Sequence, residues 1–144
     1  MTPKLLLRIA SVISLVFALG HSLGGLNQWS PMGGNAVLAN MGAVRFLVMG
    51  VRRPYLDFFL GFGWSLSIGM VLQAVLLWQI AAVAERDSAL ARPMIAAFVL
   101  NCAASVAIAA HWLFPMPALF AAVMVVPLAL AWFKTGKTAR TAAQ

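Results

Sequence analysis

Residues 54–84, PYLDFFLGFGWSLSIGMVLQAVLLWQIAAVA, form the longest apolar run in the chain, and it contains an acidic residue, Asp57. As one helix this run would be about 45 Å long at ~1.5 Å per residue, against ~30 Å of hydrocarbon in a bilayer. It must therefore tilt or protrude. Asp57, Gly61, Ser65, Gly69 and Gln73 recur at every fourth position, so a stripe that starts with a carboxylate and ends with an amide has only small residues between. Small residues at that spacing let a second helix approach closely where lipid removes the usual hydrophobic drive. The run is predicted to be the hub of a helical membrane bundle. Composition agrees: 63% of residues are hydrophobic and 9% charged, far outside the range of a soluble globule. With 144 residues the chain is read as a single transmembrane domain.

The other spans follow from hydropathy and from helix punctuation. Residues 5–24 have a basic start and an apolar middle. Val16-Phe17-Ala18 is a faint match to a signal-peptidase site, and the segment is expected to stay in place as the first span. The hub covers about residues 55–84, the third span 94–114 and the fourth 117–133. Pro54, Pro93 and Pro117 are placed in the first turns of the last three, where a missing N–H costs nothing. ERDSALAR, residues 85–92, reads as a short polar turn. The fourth span is expected to bend at Pro127 and to end in a frayed basic tail, KTGKTARTAAQ.

Residues 25–53 are too long for a structureless connection in so small a chain. Asn35 can cap a helix over about 36–49 that Gly50 would end, with Val37, Met41, Val44, Val48 and Val51 making an apolar face. Asn40 and Arg45 argue against a further span, so this segment is predicted to be amphipathic, lying on the surface or re-entering. The expected fold class is all-α: an integral membrane four-helix bundle with an amphipathic segment between helices 1 and 2.

The net charge of +7 could suggest a nucleic-acid binder, but the basic residues flank apolar runs and form no polar patch, so nucleic acid is excluded as a partner. They report topology. Lys4, Arg8, Arg86, Arg92, Lys134, Lys137 and Arg140 fall on one side and Arg45, Arg52 and Arg53 on the other, which predicts cytoplasmic termini. Cys102, the single cysteine, is a packing residue in an apolar run.

With that topology His21, His111 and Asp57 are expected near one membrane face, with Arg45, Arg52, Arg53 and Tyr55 over the same mouth and Trp64 able to line a pocket. Ionisable groups at membrane depth are costly and tend to mark sites or paired charges. The plain structural account is an ion pair from Asp57 to Arg52, Arg53 or Arg45. The functional account is an outer-facing pocket for a hydrophobic small molecule (a lipid, quinone or polycyclic compound) whose polar end meets His21, Asp57 and His111, with acid–base chemistry open to the imidazoles. Two lesser uses of the same residues are bis-histidine ligation of a haem b and a two-His-one-carboxylate metal site. No cofactor or metal is predicted. Ser11, Ser14, Gln73 and Asn101 form a deeper polar layer, predicted to join helices by hydrogen bonds. A different class of function is a non-catalytic accessory subunit, for which the small-residue faces would seat a membrane-protein partner or a second copy. Most of the four tryptophans other than Trp64 read as interface anchors.

Met49-Gly50, Arg53, Tyr55, Asp57-Phe58-Phe59 and Gly61-Phe62-Gly63, with His21-Ser22-Leu23-Gly24 upstream, carry a resemblance. They resemble a family of small bacterial inner-membrane proteins with a tyrosine-x-aspartate-aromatic-aromatic-x-glycine-aromatic-glycine box at the start of helix 2. The resemblance reaches about Pro117. It implies four helices and a bacterial inner membrane, and it assigns no activity to any residue.

Overall fold

The computed structural model describes residues 1–142, and side chains as far as Gly136. The side chains of Lys137 and Arg140, counted above for orientation, lie outside the described residues. The architecture is all-α with one small ribbon: α1 (Pro3–Gly25), α2 (Ala36–Ala43), β1 (Arg45–Val48), β2 (Val51–Pro54), α3 (Tyr55–Arg86), α4 (Ser88–Trp112) and α5 (Pro115–Ala142). Among the described residues four helices are long and apolar enough to cross a membrane: α1, α3, α4 and the Pro115–Gly136 part of α5.

The boundaries of the later spans differ from expectation for local reasons. The stretch read as a polar turn narrows to a single residue, Asp87, whose carboxylate accepts from the Leu90 N–H at 2.9 Å and so starts α4 at Ser88. Pro93 consequently lies inside α4, where it cannot supply the N–H that the Ala89 carbonyl would otherwise accept. Pro115 takes the first position of α5, Pro117 the third, and Pro127 is interior. The helix runs on to Ala142, through backbone that the sequence reads as frayed.

The chain forms two compact units: residues 1–15 with 72–144, and residues 16–71. In the first, four helices share one core. Leu7 of α1, Leu77 of α3, Ile95 of α4 and Leu128 of α5 are fully buried, and Ala10, Ala81, Ala91 and Ala131 between them let the backbones close up. Dispersion and close packing hold such a cluster where lipid is as apolar as leucine. Ser11 adds a buried hydrogen bond, donating from Oγ to the Ala74 carbonyl of α3 at 2.6 Å.

The second unit holds the end of α1, the connection and the first half of α3. Asn35 caps α2 as predicted, accepting from the Val37 and Leu38 N–H groups at 2.9 and 3.2 Å. The helix predicted over 36–49 nevertheless stops at Ala43, and residues 45–54 form an antiparallel hairpin. Met49 (φ 51°) and Gly50 (φ 81°) make its two-residue turn, with the pair of positive φ angles that a type I′ turn requires. Gly50 is a turn residue here and not a helix stop. Val44, Phe46, Val48 and Val51 prefer a pleated strand to a short helix, and the turn decides the matter. Gly50→Ala is expected to cost about 1 kcal/mol because a Cβ is strained at positive φ. Met49→Asn should stabilise by a few tenths, since asparagine tolerates that conformation. Thermal unfolding of both variants checks the pair.

Candidate functional site

The register of the hairpin sorts the three arginines. Arg45 faces Pro54, Phe46 faces Arg53 and Leu47 faces Arg52 across the ribbon. Residues opposite one another share a face and successive residues alternate, so Arg45 and Arg52 lie on one side, and Arg53 with Phe46 on the other. Phe46 docks that second side on α3, its ring 4.8 Å from Tyr55 and 5.7 Å, edge-on, from Phe58. Docking brings Arg53 Nη1 to 3.9 Å from Asp57 Oδ2. The ion pair expected of Asp57 is thus made by Arg53. Its length, and side-chain exposures of 63% and 50%, leave both groups able to engage something else.

Beyond that pair lies a groove of about 440 Å³ on one face of α3, lined by Arg53, Asp57, Phe58, Gly61, Phe62 and Ser65. Gly61 and Ser65 form its floor, and Phe58 and Phe62, edge to face at 4.7 Å, one wall. Space is open above the floor: a Cβ added at Gly61 or Gly69 would meet nothing within 4 Å. Tyr55 does not reach this groove. It lines a smaller one of about 280 Å³ with Val37, Asn40, Met41 and Val44.

His21 belongs to the opposite face of α3. Its Nδ1 shares a 2.9 Å hydrogen bond with Ser67 Oγ, and its ring lies 5.1 Å from Trp29. Trp29 is the centre of that face. Its Nε1 donates to the His21 carbonyl at 2.8 Å, its ring meets Trp64 edge-on at 5.2 Å and Phe59 at 6.4 Å, and it fits against Gly24, Gly25 and Gly63. Gly61 and Gly63 are two residues apart, about 200° around a helix of 3.6 residues per turn. The structure therefore keeps His21, bonded to Ser67, away from the groove of Arg53 and Asp57, and Trp64, two turns along α3 from Asp57, turns to Trp29 and does not line that groove. The turn after α1 explains why: Gln28 and Trp29 both adopt positive φ (55° and 49°), folding the indole back onto the helix it has just left. Trp29 was read as an interface anchor and is a packing residue instead. The signal for this was three glycines, at 24, 25 and 63, without which no indole could enter.

The remaining candidates lie in the other unit. His111 is exposed in the last turn of α4 with its ring 4.4 Å from Trp112. Of the predicted polar layer, Ser11 makes the bond to Ala74 described above and Ser14 is buried and partnered. Gln73 is half-buried and Asn101 exposed. Neither side chain makes a hydrogen bond among the described residues, because Ser11 reaches a backbone carbonyl directly and Asn101 points away from the core. Among the described residues no three of His, Cys, Asp and Glu stand together as metal ligands would.

Four apolar spanning helices with a polar-ended groove on one of them define an all-α, multi-pass membrane protein. No protein-family model, curated protein or solved structure matches the chain.

Proposed function

We propose that the chain binds an amphiphilic small molecule, such as a lipid or a quinone, in the α3 groove, with its polar end at Arg53 and Asp57 and its apolar part along Gly61, Phe62 and Ser65. The observation that carries this reading is the groove's composition: an exposed, loosely held ion pair at one end, a floor without side-chain bulk, and a wall of two phenylalanines packed edge to face. Sites for such ligands are mostly apolar with a few placed polar groups. In this reading both termini are cytoplasmic and the groove opens at the outer face of a bacterial inner membrane, which the excess of Lys and Arg on one side supports.

Mass spectrometry of solvent extracts from protein purified in mild detergent tests it. Wild type should carry one amphiphile in near-stoichiometric amount. Gly61→Leu, which fills the groove without a clash, should lose it at least about tenfold. Asp57→Asn should weaken retention while changing stability by less than about 0.5 kcal/mol, because the ion pair it breaks is long and exposed. Equal extracts from wild type and Gly61→Leu would refute the proposal.

A second reading is favoured by the openness of Gly61, Ser65 and Gly69: the stripe seats a partner's transmembrane helix, making the chain an accessory subunit. A stoichiometric protein in the same purification, lost with Gly61→Leu, would select it.

A further inference from the structure

The first unit contains two arginines held in the same unusual way. Arg8, the sixth residue of α1, lies over the Trp78 ring of α3 with its guanidinium carbon 4.6 Å from the centroid. Arg92, the fifth residue of α4, lies over Trp132 of α5, also at 4.6 Å. In both, Nε is buried and without a hydrogen-bond partner. Each guanidinium thus lies over an indole with its Nε sealed by protein, while each side chain as a whole is only half-buried, so the terminal end is the part that reaches the surface. For Arg92 the α5 backbone closes in as well, since a Cβ on Gly136 would stand 3.1 Å from the guanidinium carbon and Nε and 3.2 Å from Nη2, so Gly136 covers one Nη as well as the stem.

Among the described residues no carboxylate forms an ion pair with either arginine, although Glu85 feels the charge of Arg8. Glu85 is paired with Lys4 at 2.6 Å, and Asp87 is used as the α4 cap. Among the described residues neither Arg8 nor Arg92 has an acid within ion-pair distance. The described side chains of this unit therefore carry five cations, Lys4, Arg8, Arg86, Arg92 and Lys134, against two carboxylates. Both arginines stand within about 8 Å of a helix start, at ~1.5 Å per residue, which is the depth at which a spanning helix leaves hydrocarbon for headgroups.

A planar guanidinium with its Nη edge exposed matches two oxygens of a phosphate, and a desolvated stem strengthens that bond. From these observations we infer that Arg8 on Trp78 and Arg92 on Trp132 are two clamps for phosphate groups, and that the phosphates belong to anionic phospholipid of the surrounding leaflet. One clamp serves the α1–α3 pair and the other the α4–α5 pair, so the unit binds two headgroups. This site is separate from the α3 groove and does not depend on the function proposed for it.

Native mass spectrometry of the full chain, titrated with phosphatidylglycerol or phosphatidylcholine, tests the inference on wild type before any variant is made. Phosphatidylglycerol should be retained in preference, saturating at two molecules. Arg8→Gln and Arg92→Gln should each weaken it about fivefold, and the double variant about twentyfold, the scale of a surface cation's attraction to anionic lipid. Arg8→Lys should fall between, keeping the charge and losing the fork, and Trp78→Leu should weaken the first clamp with every charge in place. Helix content by circular dichroism and retention of phosphatidylcholine serve as folding controls. Equal retention of the two lipids by wild type, or unchanged phosphatidylglycerol binding in the well-folded double variant, would overturn the clamps. Displacement of the lipid by millimolar inorganic phosphate would overturn the assignment to lipid.

Discussion

Trp29→Ala is expected to destabilise the chain by about 2–3 kcal/mol, at or below the low end of the range for truncating a large core aromatic, because the ring is half-buried. Trp29 sits where three glycines, a histidine, a phenylalanine and a second tryptophan meet, so alanine would leave a hole that no neighbour can fill. Gly24, Gly25 and Gly63 have no side chains with which to relax inward. The hydrogen bond from Nε1 to the His21 carbonyl goes as well, at a cost of about 1 kcal/mol. Trp29→Phe separates the two contributions, since it keeps most of the ring contact and removes only the donor. Reversible unfolding in mixed micelles, with sodium dodecyl sulfate as denaturant, reads both. A Trp29→Ala loss below about 1 kcal/mol would mean that the indole merely covers the face it rests on.

Gly63→Ala is expected to cost about 1–3 kcal/mol, the range for forcing extra carbon into a packed site. A methyl group there would overlap the six-membered ring of Trp29. The ring cannot swing clear, because Gly25 holds its far edge and Nε1 is tethered to α1. Gly61→Ala, two residues earlier, meets nothing and should be neutral or slightly stabilising through helix propensity. Two glycines of one short motif are thus predicted to respond with opposite signs. In the Trp29→Ala background the Gly63 methyl would enter the space just vacated, so the double variant should be less destabilised than the sum of the singles.

The helical framework was legible in the sequence because lipid imposes it: a run of apolar residues long enough to cross must be a helix with its backbone satisfied internally. Asn35 as a cap was legible for the same local reason, a side chain competing for the first free N–H groups. The hairpin was not. Its strands are four residues each, and Val37, Met41, Val44 and Val48 fit a helical face as well as they fit nothing else. The local turn signal is Met49-Gly50, and a lone glycine after an apolar run reads equally well as a helix stop. The site was half legible. The ion pair at Asp57 and the small-residue floor came from spacing along one helix, which fixes which residues share a face. The joining of His21 to Asp57 came from depth alone, and depth says nothing of rotation about the helix axis. That rotation was decided by Trp29, a residue in a loop whose two left-handed positions no periodicity announces.

The β1–β2 ribbon has consequences for assembly. A two-stranded sheet presents unpaired N–H and C=O groups along both margins, and such margins recruit strands from other chains. Here the eight strand residues include Arg45, Arg52, Arg53 and Pro54. Charge repels a like ribbon, and proline withholds a donor from the outer strand. Two copies meeting through this element would bring six arginines together against only the two Asp57 carboxylates beside them, so self-association by strand exchange is disfavoured. Any oligomer the chain forms should therefore be built through its helices.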